Sequence, residues 1–188
     1  MGFHFLMFAV CCQCFLLRPK ALFVCRVSTS RPSLTSSDAF KVLESAAIFE
    51  NVSRDEVSLA FTAFEEEVSA NVSEVPDLGS VAGKWRLVFS SLIPFGYFPI
   101  TEICDFYGFT LASSLGPIPL GTIEGDSRVV GLNPAEIAFK NRNIRFGQLK
   151  FPLNTNKPER SYTFLFVGDE FMVAKSSSGG YTLLRKVN

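Results

Sequence analysis

The chain has 188 residues, enough for one domain of ordinary size with an additional segment at one end. Its 18 basic and 18 acidic side chains balance, but the first 37 residues hold four of the basic ones and no acidic one, so residues 38–188 carry 14 basic against 18 acidic side chains. An acidic body argues against a phosphate-binding surface, and we expect no nucleic-acid partner.

Histidine and cysteine are almost confined to the first 37 residues. The single histidine is His4, and four of the five cysteines lie at positions 11, 12, 14 and 25, which leaves Cys104 alone in the body. A body without histidine excludes His-based catalytic triads and His-ligated zinc, and a single thiol excludes an intrachain disulfide. We therefore predict no catalytic residue, no metal and no cofactor, and we interpret Cys104 as a buried apolar residue of a strand.

The first 37 residues have the features of a targeting presequence. Residues 3–17 form an apolar run that is short for a membrane span and suits the hydrophobic region of a signal peptide. Residues 18–37 are basic, rich in Ser and Thr and free of acidic residues, which is typical of a transit peptide. A signal-like segment followed by a transit-like one resembles the bipartite presequences of secondary plastids, with cleavage before Phe15 or Phe23. The alternative is an uncleaved membrane anchor.

Two helices are predicted between residues 38 and 75. The first spans about residues 38–51 and has Ser37 as its N-cap. The second begins at a capping box formed by Ser53 and Glu56, and we expect it to pack on a sheet or to plug one end of a barrel. The apolar stripes of the two helices consist of Phe40, Leu43 and Ala47 in the first and of Val57, Phe61, Phe64 and Val68 in the second.

From residue 78 to the C-terminus the pattern is one of short strands and tight turns. Residues 103–111 are expected to form one apolar strand. Residues 136–140 and 143–147 are expected to form a hairpin across Asn141-Arg142. About eight strands without intervening helices predict an antiparallel barrel or sandwich.

The most specific motif of the chain is Gly-Lys-Trp-Arg-Leu-Val-Phe-Ser-Ser at residues 83–91. Its alternation of apolar and polar residues is that of a strand with one buried face. The motif resembles the opening of the plastid lipid-associated proteins, also called fibrillins or plastoglobulins, a lipocalin-like family. A second likeness runs from Tyr162 to Arg185, although Lys175 stands where the family usually has Arg and residues 176–178 replace a Gly-containing linker. The resemblance implies a mainly β (α+β) fold, a lipocalin-like antiparallel β-barrel over residues 78–188 preceded by two short helices.

The resemblance also implies structural roles at the two ends of the barrel sequence. Gly83 is expected to let the first strand enter the barrel floor without a steric clash at Cβ. Trp85 is expected to lie in that floor, with the guanidinium group of Arg185 packed across its indole ring.

The apolar residues of the body suggest where a ligand would bind. The body holds 15 phenylalanines and one tryptophan, which fits a wide apolar interior for flat or long-chain molecules. The loop at residues 92–100 is unusually apolar, and we interpret it as a lid over the barrel or as a membrane contact through Phe95, Tyr97 and Phe98. The predicted lipid-binding cavity is lined by Leu87, Phe89, Phe106, Phe139, Ile144, Phe146, Phe164 and Phe166.

Three hypotheses of function follow from these features. The first is a non-enzymatic module that binds or coats apolar lipids (isoprenoid quinones, carotenoids or acyl lipids) at plastoglobules or thylakoids, the plastid location being implied by the resemblance. The second is a structural scaffold on a lipid surface, with a filled core and no internal ligand. The third is an enzyme or enzyme-assisting factor that uses Cys104, Tyr97, Tyr107 or the Asp169-Glu170 turn. The sequence leaves the identity of the ligand and the oligomeric state open.

Overall fold

The computed structural model describes residues 34–70, 78–94, 96–132, 134–153 and 158–187. Apart from its last four residues, the predicted presequence lies outside these ranges. The described chain is mainly β: eight antiparallel strands close into a barrel, and two helices precede them. The predicted lipocalin-like barrel with two leading helices is thereby confirmed.

Both helices begin at side-chain caps. Helix α1 spans Ser36–Phe49 with Thr35 as its N-cap, so it begins two residues before the predicted start. Helix α2 spans Arg54–Ala70 and begins at the predicted capping box. The Glu56 N–H donates to the Ser53 hydroxyl at 3.3 Å, and the Ser53 N–H donates to the Glu56 carboxylate at 3.2 Å. The two local signals at Ser53 and Glu56 therefore fix where α2 starts.

In the described residues, nine strands follow a short 3₁₀ helix at Leu78–Val81. Their bounds are β1 Lys84–Ser90, β2 Tyr97–Asp105, β3 Thr110–Leu115, β4 Ile118–Leu132, β5 Ala135–Phe146, β6 Leu149–Pro152, β7 Arg160–Val167, β8 Phe171–Ser176 and β9 Tyr181–Val187. Eight of them pair in the order β4-β3-β2-β1-β9-β8-β7-β5, and β5 returns to β4 to close the ring. Strand β6 is a hairpin partner of β5 alone.

The predicted strand at residues 103–111 is interrupted by a turn. Strand β2 ends at Asp105, and its carboxylate accepts a hydrogen bond from the Tyr107 N–H at 3.0 Å. An aspartate that bonds to the backbone two residues further on is a common turn former. The prediction of one strand was wrong because it weighed apolar content above this local turn signal.

The predicted hairpin across Asn141-Arg142 is absent from the described residues, and β5 runs straight through this position. The irregularity there is a bulge: the register between β4 and β5 shifts between Glu124 and Gly125. Asn141 pairs with Gly125 across this shift, and the two backbones approach closely. An Asn-Arg pair without glycine is a poor two-residue turn, so the strand continues instead.

Both helices pack on the outer face of the barrel wall. Their apolar stripes meet residues of β1, β8 and β9 in one buried cluster, and this confirms packing on a sheet rather than plugging of a barrel end. The strand residues of this cluster are Phe89, Phe171, Val173 and Leu183.

Polar contacts tie the helices to the same wall. Arg86 forms an ion pair with Glu50, with 2.9 Å between Nη1 and Oε1. The Glu65 carboxylate accepts hydrogen bonds from the Lys175 ammonium group and from the Tyr181 hydroxyl. Burial acts to raise the pKa of Glu65, but the hydrogen bonds from Lys175 and Tyr181 and the Lys175 charge outweigh it, so the pKa is lowered. Glu65 is therefore ionised at neutral pH and holds α2 to β8 and β9.

Candidate functional site

The two ends of the barrel are built differently. At the lower end β1 begins and β9 ends, and at the upper end β1 ends and β4 begins. Strand β5 pairs with β7 only through residues 136–139, and it pairs with β6 through residues 143–146 instead. The sheet therefore continues past the point where β7 leaves it. We call this upper extension the flange, and it comprises residues 113–124, 141–146 and 149–152.

The lower half of the barrel interior is filled by aromatic rings. Phe106 meets Phe164 edge-on across the barrel, with 5.3 Å between ring centroids. Phe109 stacks on Phe139 at 4.4 Å, and Phe139 stacks on Tyr162 at 5.5 Å. Three of the predicted cavity residues, Phe106, Phe139 and Phe164, thus lie in the interior. They are at most 4% exposed and pack against one another, so this layer closes the lower end.

A buried carboxylate lies in the interior beside Leu87. Leu87 and Glu102 are direct neighbours on β1 and β2, and they are 2% and 1% exposed. The Ser113 hydroxyl donates to Glu102 Oε1 at 3.4 Å. Leu87 therefore faces inward as predicted, but it lies in a closely packed environment. Sequence analysis missed Glu102, although an acidic residue at an inward position of an apolar strand is a signal for it.

In the barrel floor, the cation beside Trp85 is Lys186 and not the predicted Arg185. Trp85 is fully buried and donates its indole N–H to the Val81 carbonyl at 2.8 Å. Its neighbour on β9 is Lys186, whose Nζ lies 5.4 Å from the centroid of the indole ring. Arg185 lies on the opposite face and donates to the Ile48 carbonyl of α1 at 3.2 Å. The predicted contact of Arg185 with Trp85 was wrong because adjacent residues of a strand point to opposite faces.

Gly83 is needed at the start of β1 for its backbone conformation. Its φ is 114°, which lies in the left-handed range that favours glycine. A Cβ at this position would meet nothing within 4 Å. The predicted steric reason was therefore wrong, and the conformational one replaces it.

Two of the predicted cavity residues, Phe89 and Phe166, lie on the outer face under the helices. Phe89 contacts Phe61 of α2 with 5.8 Å between ring centroids, and Phe166 contacts Phe40 of α1 edge-on at 5.2 Å. In both strands the register shifts immediately before the phenylalanine, after Leu87 in β1 and between Phe164 and Phe166 in β7. Each bulge reverses the alternation of faces, which the sequence pattern does not reveal.

The apolar loop before β2 is folded against the body. The Tyr97 hydroxyl donates to the Val52 carbonyl at 2.9 Å, and burial raises the pKa of Tyr97. Phe98 is buried, and so is Ile93. Tyr97 and Phe98 are therefore the first two residues of β2 and pack against the body instead of standing out from it. Phe95 lies outside the described residues.

The inward face of the flange exposes large apolar side chains. Phe146 pairs with Leu149, and Ile144 pairs with Phe151, so these four residues share one face of the sheet. Leu149 is 64% exposed and Phe151 is 47% exposed, and the rings of Phe146 and Phe151 lie 6.3 Å apart. Ile144 and Phe146 were predicted to line a cavity, and the structure places them on this open extension instead. The two residues that sequence analysis missed are the apolar positions of the alternating run Leu149-Lys150-Phe151.

The end of β3 and the start of β4 add to this apolar surface. Leu115 and Ile118 are direct partners across the hairpin, and they are 54% and 60% exposed. A soluble protein rarely exposes several large apolar side chains side by side without a use for them. The flange is therefore the candidate functional site.

The outward face of the flange is charged and internally paired. Glu124 accepts from Arg145 and forms an ion pair with Lys150, with 2.8 Å between Oε2 and Nζ. Asp126 pairs with Arg142 at the base of the flange. The hydrogen bond from Lys150 lowers the pKa of Glu124, so this carboxylate is ionised at neutral pH. The two faces of the same strands thus differ sharply in polarity.

The side chains named in the enzyme hypothesis lie at different places in the described part of the chain. Tyr97 and Tyr107 stand at opposite ends of β2, and the Tyr107 hydroxyl donates to the Leu78 carbonyl at 2.8 Å. Cys104 is buried between them, and residues 169–170 form the exposed turn before β8. No group of three or more potential metal-ligating side chains occurs in the part of the chain that the structure describes.

Comparison of the chain with protein-family models, with curated proteins and with solved structures gave no match. Within the described residues, neither helix is long and apolar enough to cross a membrane. The candidate site therefore rests on the geometry and polarity of the flange.

Proposed function

We propose that this protein is a non-enzymatic plastid lipid-associated protein that contacts apolar lipid through the inward face of the flange. The observation that carries the proposal is the exposed apolar surface formed by Leu115, Ile118, Leu149 and Phe151. The barrel fold agrees with the sequence resemblance to the fibrillins. The lipids concerned are those of plastoglobule or thylakoid surfaces, namely isoprenoid quinones, carotenoids and acyl lipids.

The packing of the barrel favours contact at a surface over storage of a ligand inside. Phe106, Phe139 and Phe164 close the lower interior, and Leu87 is almost fully buried above them. A ligand as large as a quinone or a carotenoid would have to displace these side chains, at a cost of several kcal/mol for each large cavity opened. The flange offers apolar contact without that rearrangement. Of the first two hypotheses from the sequence, coating or scaffolding of a lipid surface is therefore better supported than binding in a cavity.

Flotation of the full-length protein with triacylglycerol droplets coated with phosphatidylcholine tests the proposal. The double variant L149S/F151S removes the two apolar side chains of β6, and we expect its dissociation constant to rise roughly tenfold or more. The matched control is V129S/L132S, because these residues are 48% and 71% exposed on the β4–β5 hairpin at the lower end. The control should bind as the wild type does. Equal losses in both double variants, or none in either, would contradict the proposal.

A direct measurement separates flange contact from any contact made by the N-terminal segment. The variant F151W places an indole on the flange, while the natural Trp85 is fully buried in the barrel floor. We expect lipids with brominated acyl chains to quench the fluorescence of F151W more strongly than that of the wild type. Equal quenching of the two proteins would show that β6 does not enter the lipid.

The plastid location is tested separately. A fluorescent protein fused behind residues 1–37 should enter plastids. Import into mitochondria would contradict the plastid part of the proposal but not the lipid contact.

A lipid-extraction measurement decides between surface contact and an internal ligand. We expect the purified protein to carry no stoichiometric lipid after detergent-free purification. A quinone or carotenoid that co-purifies one to one, and stays bound in L149S/F151S, would restore the cavity hypothesis.

A further inference from the structure

The cations of the flange are engaged by carboxylates of the same sheet. Arg145 and Lys150 stand directly opposite each other on β5 and β6, and both contact Glu124 of β4. Arg142 contacts Asp126. Three cations therefore face two carboxylates, and the cluster carries one formal unit of positive charge. Among the described residues, Glu124 is the carboxylate that pairs with both Arg145 and Lys150, the two cations nearest to the exposed residues of β6.

An unpaired cation beside an anionic lipid surface contributes about 1 kcal/mol to binding, and this attraction weakens with salt. A cation that already shares a carboxylate contributes less, because the carboxylate is repelled by the same surface. Apolar insertion does not depend on lipid charge in this way. The charges of the flange therefore influence which kind of lipid surface it binds, in addition to its affinity for that surface.

We infer that the flange is specific for lipid surfaces that expose hydrocarbon and carry little negative charge, and that Glu124 sets this specificity by occupying Arg145 and Lys150. The inference rests on the proposed function, since it names the kind of lipid surface that the same site takes. A droplet with a neutral monolayer, in which the packing of head groups is loose, fits this description. A tightly packed anionic bilayer does not.

The net charge of the body also disfavours binding to anionic lipid surfaces. Residues 38–188 carry 14 basic and 18 acidic side chains, so an anionic surface repels the body as a whole. Association through the flange must then come mainly from the apolar side chains Leu115, Ile118, Leu149 and Phe151, because Glu124 offsets half of the positive charge of Arg145 and Lys150.

The test uses three lipid preparations and the full-length protein. The preparations are triacylglycerol droplets coated with phosphatidylcholine, the same droplets with part of the phosphatidylcholine replaced by phosphatidylglycerol, and phosphatidylcholine vesicles without an oil core. Wild-type protein should bind the phosphatidylglycerol droplets more weakly than the neutral droplets at low salt, with a smaller difference at high salt, and should bind the vesicles more weakly than the neutral droplets.

The variant E124Q is the decisive comparison, because it leaves Arg145 and Lys150 without their carboxylate. We expect E124Q to gain on the order of fivefold or more in affinity for the phosphatidylglycerol droplets, with the gain lost at high salt. Its affinity for the neutral droplets should stay within about twofold of the wild type. The triple variant E124Q/R145Q/K150Q should lose the gain, which checks that the two cations cause it.

The outcomes distinguish the inference from the proposed function. Binding to none of the three preparations would contradict the proposed function itself. Wild-type binding that requires phosphatidylglycerol and disappears at high salt would overturn the inference but leave lipid contact in place, as would an E124Q variant that gains nothing on anionic droplets. Self-association of the wild type that L149S/F151S abolishes, measured by sedimentation without lipid, would show that a second copy of the chain is the partner of the flange and would overturn the inference. Circular dichroism and thermal unfolding of each variant confirm that the barrel is intact.

Discussion

The outer wall of the barrel and the inward face of the flange carry similar apolar side chains but differ in what covers them. On the outer wall Phe89 and Phe171 lie beneath two helices, and both are nearly inaccessible. On the flange Leu149 and Phe151 are about half exposed or more, and within the described ranges no helix packs on them.

The comparison shows that apolar content alone does not mark a functional surface in this protein. The sequence is rich in phenylalanine throughout the body, and most of these rings serve to attach the helices or to fill the barrel. The apolar side chains of the flange neither attach a helix nor fill the barrel. The following predictions test this difference, from the largest expected effect to the smallest.

Truncation of a covered ring should be severely destabilising. Phe61 is fully buried in α2, stacks on Tyr181 at 5.0 Å between centroids and contacts Phe89. We expect F61A to lower the free energy of unfolding by about 3–5 kcal/mol, because the helix layer loses a large side chain and gains a cavity. Urea unfolding followed by circular dichroism measures this loss. A loss below about 1 kcal/mol would mean that the helices are not firmly packed on the wall.

The second prediction compares two glycines of β4, one inside the ring and one on the flange. A Cβ at Gly125 would lie 2.2 Å from the Lys140 carbonyl oxygen, a backbone atom that cannot move freely. A Cβ at Gly121 would lie 2.9 Å from the ring of Phe146, which has room to turn toward solvent, and 3.2 Å from the Arg145 carbonyl oxygen. We expect G125A to cost about 2–3 kcal/mol and G121A about 1 kcal/mol. Thermal unfolding of both variants checks the order, and a reversed order would show that the flange is the more rigid part.

The polar tie between α2 and the barrel should give a pH-dependent contribution to stability. The pKa of Glu65 is lower in the folded state than its ordinary value of 4.5, so folding favours the ionised carboxylate. Its contribution is therefore present above pH 4.5 and is lost as the pH falls through the lower folded pKa. Because Lys175 is partly exposed to solvent, we expect E65Q to lower the free energy of unfolding by only about 1 kcal/mol at pH 7.

Unfolding curves at pH 7 and at pH 3 measure the effect of E65Q. The stability difference between E65Q and the wild type should shrink at pH 3. A difference that is unchanged between the two pH values would assign the effect to packing rather than to the charge of Glu65.

The smallest effect on stability is expected on the flange. Phe151 is 47% exposed on a strand that pairs only with β5. We expect F151A to change the free energy of unfolding by less than about 1 kcal/mol, although F151W and L149S/F151S are expected to report on lipid contact. A destabilisation by F151A as large as that by F61A would remove the distinction between the two surfaces.

The sequence predicted the architecture well because local signals dominate it. The capping box at Ser53 and Glu56, the alternation in β1 and the apolar stripe through Phe61 each depend on neighbouring residues. These signals suffice for the helices, the strands and the antiparallel barrel class. The error at residues 103–111 was also local, since the Asp105 turn is visible in the sequence.

The candidate site was harder to predict because it depends on the register between distant strands. The bulges before Phe89 and Phe166 turned both side chains to the outer face, and no local pattern gives their positions. Ile144 and Phe146 were recognised as important apolar residues, but their place on the flange depends on where β7 leaves β5. Glu124 gains its partners only when β4, β5 and β6 are assembled.

The bulges in β1 and β7 each change the face of the sheet on which all later residues of the strand lie. Up to and including Leu87, the odd-numbered residues of β1 face the barrel interior. From Phe89 onward, the odd-numbered residues face the helices. Strand β1 thereby contributes first to the core inside the barrel and then to the core between the barrel wall and the helices. Deletion of Val88 would remove the bulge and leave Phe89 beside Leu87 in a regular strand, so Phe89 would still face the helices. If the strand kept Val88 but lost the bulge, Phe89 and every later residue of β1 would change faces. The single extra residue at the bulge therefore decides which core each later side chain of β1 belongs to.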